Sequence, residues 1–211
     1  MNEEYRKYII DKLFVDNFFE QNPDGEYELE ETDPGGETCL HFKVSGKKSM
    51  AIKNLDKKNT GFLFLRDEKS LSLKKRADHM IFEQIGDNQW LVHLIEMKSS
   101  ISSQEKWLEI KGKFRASYLF VLAAAAILHM DISEIRMYTT YEKVSLDVLP
   151  ENPVFRRMRT GSVPAIPQKE WNGESFGLRF GDACRLNFRH IPIRAERNEK
   201  KYLEAWYACN P

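Results

Sequence analysis

An α/β (α+β) fold is predicted for this chain: a mixed sheet flanked by helices, with a C-terminal β-hairpin extension. Three stretches carry the prediction. Lys75 to Ser99 reads as two strands around a tight turn at Gly86-Asp87-Asn88, because apolar, aromatic and β-branched residues run up to that turn signal from both sides. Gln104 to His129 reads as a long helix with Ser102 or Ser103 as its N-cap, and Ile135 to Tyr141 reads as a strand beyond it. A long helix between strands makes their pairing parallel or mixed.

The other elements follow in order. Residues 2–21 carry Ile9, Ile10, Leu13, Phe14 and Phe18 in one broad stripe, the pattern of an amphipathic helix, and Asn22-Pro23-Asp24-Gly25 ends it. An acidic loop through Asp33-Pro34-Gly35-Gly36 leads to strands at Thr38–Val44, Ser49–Lys53 and Gly61–Arg66, which with the hairpin make a largely antiparallel sheet. In the long helix the first half is charged, with Lys106, Glu109, Lys111, Lys113 and Arg115 either pairing on the surface or pointing toward a phosphate near Lys98. Ser117 to Leu128 is almost wholly apolar and must be buried. Beyond a loop at Leu149–Pro153, Phe176–Phe180 and Cys184–His190 alternate around Gly181-Asp182 as a hairpin, and Glu196–Ala208 reads as a short helix. The chain thus divides into a core at 1–148 and an extension at 149–211 packed on the same domain.

With 211 residues, 42% hydrophobic and 30% charged, the chain is long enough for one well-cored domain. Its formal net charge is zero, but the charge is segregated. Residues 20–37 hold eight acids and no Lys or Arg, 43–76 hold eleven basic residues against three acids, and 152–197 hold nine against four. Segregation of this kind can build a basic, phosphate-attracting surface on a neutral protein. Lys74 and Lys75, which lead into the first strand of the hairpin, and Arg156, Arg157 and Arg159 are the candidate nucleic-acid contacts. The longest apolar run, Tyr118 to Leu128, is too short to span a bilayer, and the charged N-terminus lacks a signal-peptide pattern, so a cytoplasmic protein is expected. Three scattered cysteines show neither a disulfide framework nor zinc-ligand spacing.

A hairpin centred on Asp87 places Asp78 opposite Glu96 and Arg76 opposite Lys98. Side chains alternate across a strand, so Asp78, Glu96 and Lys98 share a face with Met80, Phe82, Val92 and Leu94, while His79 and His93 lie on the other face as core residues. Carboxylates on a half-buried face are costly unless paired. Either Lys98 neutralises one of them at the sheet rim, or the two acids hold a magnesium ion and the amine orients water.

Asp78, a hairpin, Glu96-Met97-Lys98 and a long following helix resemble the PD-(D/E)XK nuclease superfamily, the restriction-endonuclease-like fold. The resemblance covers roughly Gly36 to Tyr141; Ala77 stands where the proline of the name would be. It implies catalytic residues Asp78, Glu96 and Lys98, with Mg²⁺ or Mn²⁺ bound by Asp78 and Glu96, and with the Met97 carbonyl as a further ligand. It also makes Glu20, at the end of the first helix, a candidate to complete the metal site. Glu-x-Lys recurs at Glu109-Ile110-Lys111 and Glu199-Lys200-Lys201, but both stretches read as helix, where residues two apart do not face each other.

No phosphate-binding glycine loop, nucleophile elbow, dinucleotide fingerprint or internal repeat is present. The expected function is a metal-dependent nuclease acting on DNA, in restriction or anti-phage defence by family analogy, and homodimeric if it makes double-strand breaks. The alternative is a non-catalytic scaffold of the same fold that binds nucleic acid or a protein partner.

Overall fold

The computed structural model describes residues 3–32, 37–46, 48–62, 65, 73–146, 167–174, 176–180, 184–199 and 202–209. It is a mixed α/β structure in three layers: helices, a six-stranded sheet and a second, four-stranded sheet. The first sheet runs β1 (Glu20–Gln21), β4 (Lys48–Ile52), β5 (His79–Gln84), β6 (Gln89–Glu96), β8 (Asp131–Tyr141), β12 (Arg189–Arg194) in spatial order. β1, β4, β5 and β6 pair antiparallel, whereas β8 and β12 continue parallel to β6. The hairpin has the expected register, with His79 opposite Ile95 and Phe82 opposite Val92.

Helix α2 (Gln104–Leu128) is the crossover between β6 and β8. Ser103 caps it, accepting the Lys106 N–H at 3.3 Å, and His129 ends it in a left-handed conformation at φ 50°. Its buried face, Trp107, Ile110, Phe114, Val121 and Leu128, packs on Met80, Phe82, Val92, Leu94 and Met137 of the sheet. Each such side chain contributes about 1.5–3 kcal/mol on leaving water, which anchors the helix firmly.

The second sheet, β13 (Glu196–Arg197), β14 (Leu203–Ala208), β3 (Thr38–Lys43) and β2 (Glu26–Glu31), covers the other face of the first. Tyr27, Leu29, Leu40 and Phe42 meet Ile81, Ile95 and Tyr138 there.

Several expectations are corrected. The first helix, α1, spans Glu3–Leu13 rather than 2–21: Asn17 takes φ 58°, a left-handed geometry no α-helix continues through, and Glu20 lies in edge strand β1. The acidic stretch contains strand β2, whose Glu26, Glu28 and Glu30 face solvent while Tyr27, Leu29 and Glu31 face inward. Thr38–Lys43 belongs to the second sheet, not the first. Gly61, Phe62 and Leu65 are not in a strand; the rest of Gly61–Arg66 lies outside the described residues except at these positions. Residues 203–208 form a strand rather than a helix, because Leu203 and Ala205 alternate inward and β3 offers an open edge to pair with. The C-terminal hairpin exists as β10 (Gly177–Phe180) and β11 (Cys184–Asn187), but the chain beyond Phe188 leaves it to become β12 of the main sheet. Helix α3 (Pro167–Trp171) packs Trp171 against Trp107 of α2.

Candidate functional site

Asp78, Glu96 and Lys98 meet at the end of the first sheet where β5 begins and β6 stops. Three local features hold them. The Asp78 carboxylate accepts the Met97 N–H at 2.6 Å, tying the two strands beyond their last paired residues. The Thr140 hydroxyl accepts the Lys98 N–H at 3.0 Å and donates to the Lys98 carbonyl at 3.3 Å, fixing the backbone as it leaves β6. Ser117 of α2 accepts the Ala77 N–H at 2.8 Å, pinning the chain just before Asp78 to the helix.

Four residues before Ser117, on the same helical face, Lys113 reaches into the site. Its ammonium lies 2.7 Å from Glu96 Oε1 and 3.2 Å from Asp78 Oδ1. Lys98 lies 2.7 Å from the same Glu96 oxygen and 3.9 Å from Asp78 Oδ2, and donates to the Met97 carbonyl at 2.9 Å. The carboxylate side chains are essentially buried, at 2% and 0% exposure, while Lys98 and Lys113 keep 22% and 15%. Glu96 Oε2 is buried and has no hydrogen-bond partner among the described residues.

Burial and the neighbouring charge of Asp78 push the Glu96 carboxyl up to about 7, against the pull of the two lysines. Burial pulls the Lys113 ammonium down, but Glu96 and Asp78 more than offset it and the net shift is upward. A third acid stands at the lip. The Leu55 N–H donates to the Asp78 carbonyl at 2.7 Å, seating a 3-10 turn (Leu55–Lys57) whose exposed Asp56 has a raised pKa, from partial desolvation and then from the charge of Asp78.

The structure therefore brings Asp78, Glu96 and Lys98 together. It does not bring Glu20 to them: that side chain, on edge strand β1, pairs with Lys53 at 2.9 Å. Nor does Arg76 face Lys98; it is buried and donates to the Leu73 and Thr60 carbonyls. Lys74 and Lys75 are exposed, and Lys75 pairs with Glu109 of α2 at 3.1 Å. Arg156, Arg157 and Arg159 lie outside the described residues. Sequence reasoning names Lys113 only among five helix residues that pair on the surface or point toward a phosphate near Lys98, and does not single out Asp56. The signal for Lys113 was its place among Ile110, Ala116 and Ser117, all buried neighbours three or four residues away. Nothing in the sequence marked Asp56.

A second polar cluster sits on the other face of the same strands. Glu83, His93 and Cys209, all buried, have candidate ligand atoms within 4.8 Å of one another, a group that could hold a metal ion. Glu83 Oε2 meets His93 Nε2 at 2.8 Å, while Tyr138 and Cys209 approach the other ring nitrogen at 2.9 and 3.9 Å. One imidazole nitrogen thus faces the carboxylate and the other faces the thiol, so a single ion bound to either nitrogen would be turned from one partner. Burial works to raise Glu83, but bonds from His93, Ser45 and Gly46 overcome it and hold the carboxyl at about 2. Burial lowers His93 and pushes the Cys209 thiol up to about 11, far from a reactive thiolate.

Compared with protein-family models, curated proteins and solved structures, the chain gives no match to any of them. Among the described residues no helix is long and apolar enough to cross a membrane.

Proposed function

We propose that this chain is a divalent-metal-dependent nuclease that hydrolyses phosphodiester bonds in DNA. The observation that carries the reading is the convergence, at one sheet end, of two buried carboxylates, a backbone carbonyl and two partly exposed ammonium groups. Asp78, Glu96 and the Met97 carbonyl are hard oxygen donors of the kind Mg²⁺ and Mn²⁺ prefer. The fully buried, unpartnered Glu96 Oε2 fits such a set, since an orphaned buried acceptor is otherwise a net cost. When bound, the ion supplies positive charge at the phosphate and lowers the pKa of water. The chain's own residues do the rest. Asp78 and Glu96 hold the ion, and Lys98, fixed through Thr140 and Met97, positions water and phosphate beside it. Lys74 and Lys75, on the segment leading to Asp78, attract the polymer backbone.

The test is cleavage of plasmid, linear duplex, single-stranded DNA and RNA with Mg²⁺, Mn²⁺ or EDTA, using the native protein, Glu96→Ala and Lys98→Ala. Metal-dependent cutting lost in both variants supports the reading and identifies the polymer. Absence of cutting by the native protein, with DNA bound equally in EDTA and Mg²⁺, supports the second reading, a non-catalytic binding scaffold. One feature favours that alternative: the two ammonium groups already neutralise the two carboxylates.

A further inference from the structure

We propose that Lys113 is an internal cation that occupies the metal position between Asp78 and Glu96, so that a divalent ion must displace it to bind. The inference rests on the metal-site reading above and deepens it: metal loading becomes a competition with a residue of the chain itself.

The donor set is already taken. Lys113 holds Asp78 Oδ1 at 3.2 Å and Glu96 Oε1 at 2.7 Å, and Lys98 holds Glu96 Oε1 and the Met97 carbonyl at 2.7 and 2.9 Å. A divalent ion set among these oxygens would stand beside two ammonium groups, and like charges at such range repel strongly in a buried site. One lysine has to leave. Lys98 has its backbone fixed by Thr140 at both N–H and carbonyl, directly beside the site. Lys113 comes from a different element, α2, and both of its hydrogen bonds described are to the two carboxylates that the ion would claim. Its flexible four-carbon stem lets the ammonium swing outward without moving the helix.

Glu96 points the same way. One of its oxygens accepts both lysines, while Oε2 is buried and unpartnered. Two ammonium groups crowded on one oxygen, with its twin left empty, is an arrangement that an ion drawing on both oxygens would relieve. The displaced ammonium remains on α2 beside the site, where its charge suits a phosphodiester anion. Metal binding and phosphate binding are then coupled in the same direction.

The experiment is Mn²⁺ binding, followed by calorimetry and by the loss of free-ion EPR signal, for the native protein and for Lys113→Met, Lys113→Gln, Lys113→Arg and Glu96→Ala. Removing the competing charge is expected to tighten Mn²⁺ binding at least tenfold in the Met and Gln variants, with Arg close to native and Glu96→Ala binding weakly or not at all. Without metal, the Met and Gln variants melt at a lower temperature than the native protein, and saturating Mn²⁺ raises their Tm by more than it raises the native one. Gln, a polar side chain of near length, carries the test should Met fail to fold, and Arg carries it should both fail, since an arginine variant with much tighter binding than native contradicts charge competition. Binding in the Met and Gln variants that is equal to or weaker than native overturns the proposal, while native binding lost in Glu96→Ala keeps the metal-site reading intact. Absence of Mn²⁺ binding in native and Lys113 variants alike overturns both.

Discussion

Strands β5 and β6 carry two polar clusters back to back, and the two solve the same problem differently. Toward the second sheet, Glu83 accepts from Ser45 and Gly46 on one oxygen and meets His93 on the other, and His93 meets Tyr138 with its remaining nitrogen. Toward the helices, Asp78, Glu96, Lys98 and Lys113 share four charges among too few good contacts, and Glu96 Oε2 is left over. A filled network in a low-dielectric interior rigidifies the core; a part-filled one is a standing cost. The first arrangement joins two sheets. The second has partly exposed lysines over an unused acceptor, the combination on which the proposed metal site rests.

The largest effect that would break this contrast is on the filled side. Glu83→Leu leaves the fully buried His93 imidazole without its carboxylate, and the N–H groups of Ser45 and Gly46 and the Ser45 hydroxyl at the rim without their acceptor, and is expected to lower unfolding free energy by about 2–3 kcal/mol, read from urea denaturation. A loss under about 1 kcal/mol would show that the network is ornamental.

On the part-filled side the sign reverses. The Glu96 carboxyl lies at about 7 in the fold against an ordinary 4.5, so the folded state holds its proton more tightly and stability falls as pH rises from 4.5 to 7. Glu96→Gln removes that penalty and is expected to raise stability at pH 8 by about 2 kcal/mol while abolishing cleavage. Unfolding midpoints of the two proteins should converge below pH 4.5.

Buried histidine gives the opposite slope. His190 accepts from or donates to Thr139 at 3.0 Å and donates to the Trp171 carbonyl at 2.8 Å, and burial lowers its pKa to about 4. Its unfolded pKa is near 6.5, so protons favour the unfolded chain and stability is lost as pH falls from 6.5 to 4. Between pH 4.5 and 6.5 the Glu96 term opposes those of His190, His79 and His93, all three lowered by burial. Glu96→Gln should therefore steepen the rise of stability with pH across this window, and His190→Gln should flatten it, each by about 1–3 kcal/mol.

The smallest effect belongs to the exposed rim. Lys75→Ala breaks a solvent-exposed pair with Glu109 and should change stability by less than about 0.5 kcal/mol, while weakening DNA binding at low salt in a filter or anisotropy assay.

The hairpin register was legible because both of its strands carry strong apolar runs around one turn, and the alternation of side chains then fixed which residues share the site face. Helix α2 and its cap were legible for the same reason: local pattern and Ser103 agree. What escaped depends on partners distant in sequence. Glu26–Glu31 looks like an acidic loop until Tyr27 and Leu29 are given a sheet to cover, and Leu203–Ala208 fits a helical pattern until β3 presents its edge. Lys113 was half legible, since a charged half-helix can face water or turn toward Lys98; the buried acids across from it decide.

The parallel pairing of β14 with β3 has a consequence for how the protein is made. Leu203 bonds alongside Thr38, 165 residues earlier. At roughly 5–20 residues per second, β3 emerges from the ribosome roughly ten to thirty seconds before its neighbour exists. During that interval β2 can cover one edge of β3, but the other is open, with Leu40 and Phe42 lacking part of their cover. The second sheet closes only after translation has passed residue 208, so the nascent chain carries an adhesive strand edge through most of its synthesis, and a chaperone that shields extended apolar segments has its clearest target at Thr38–Lys43.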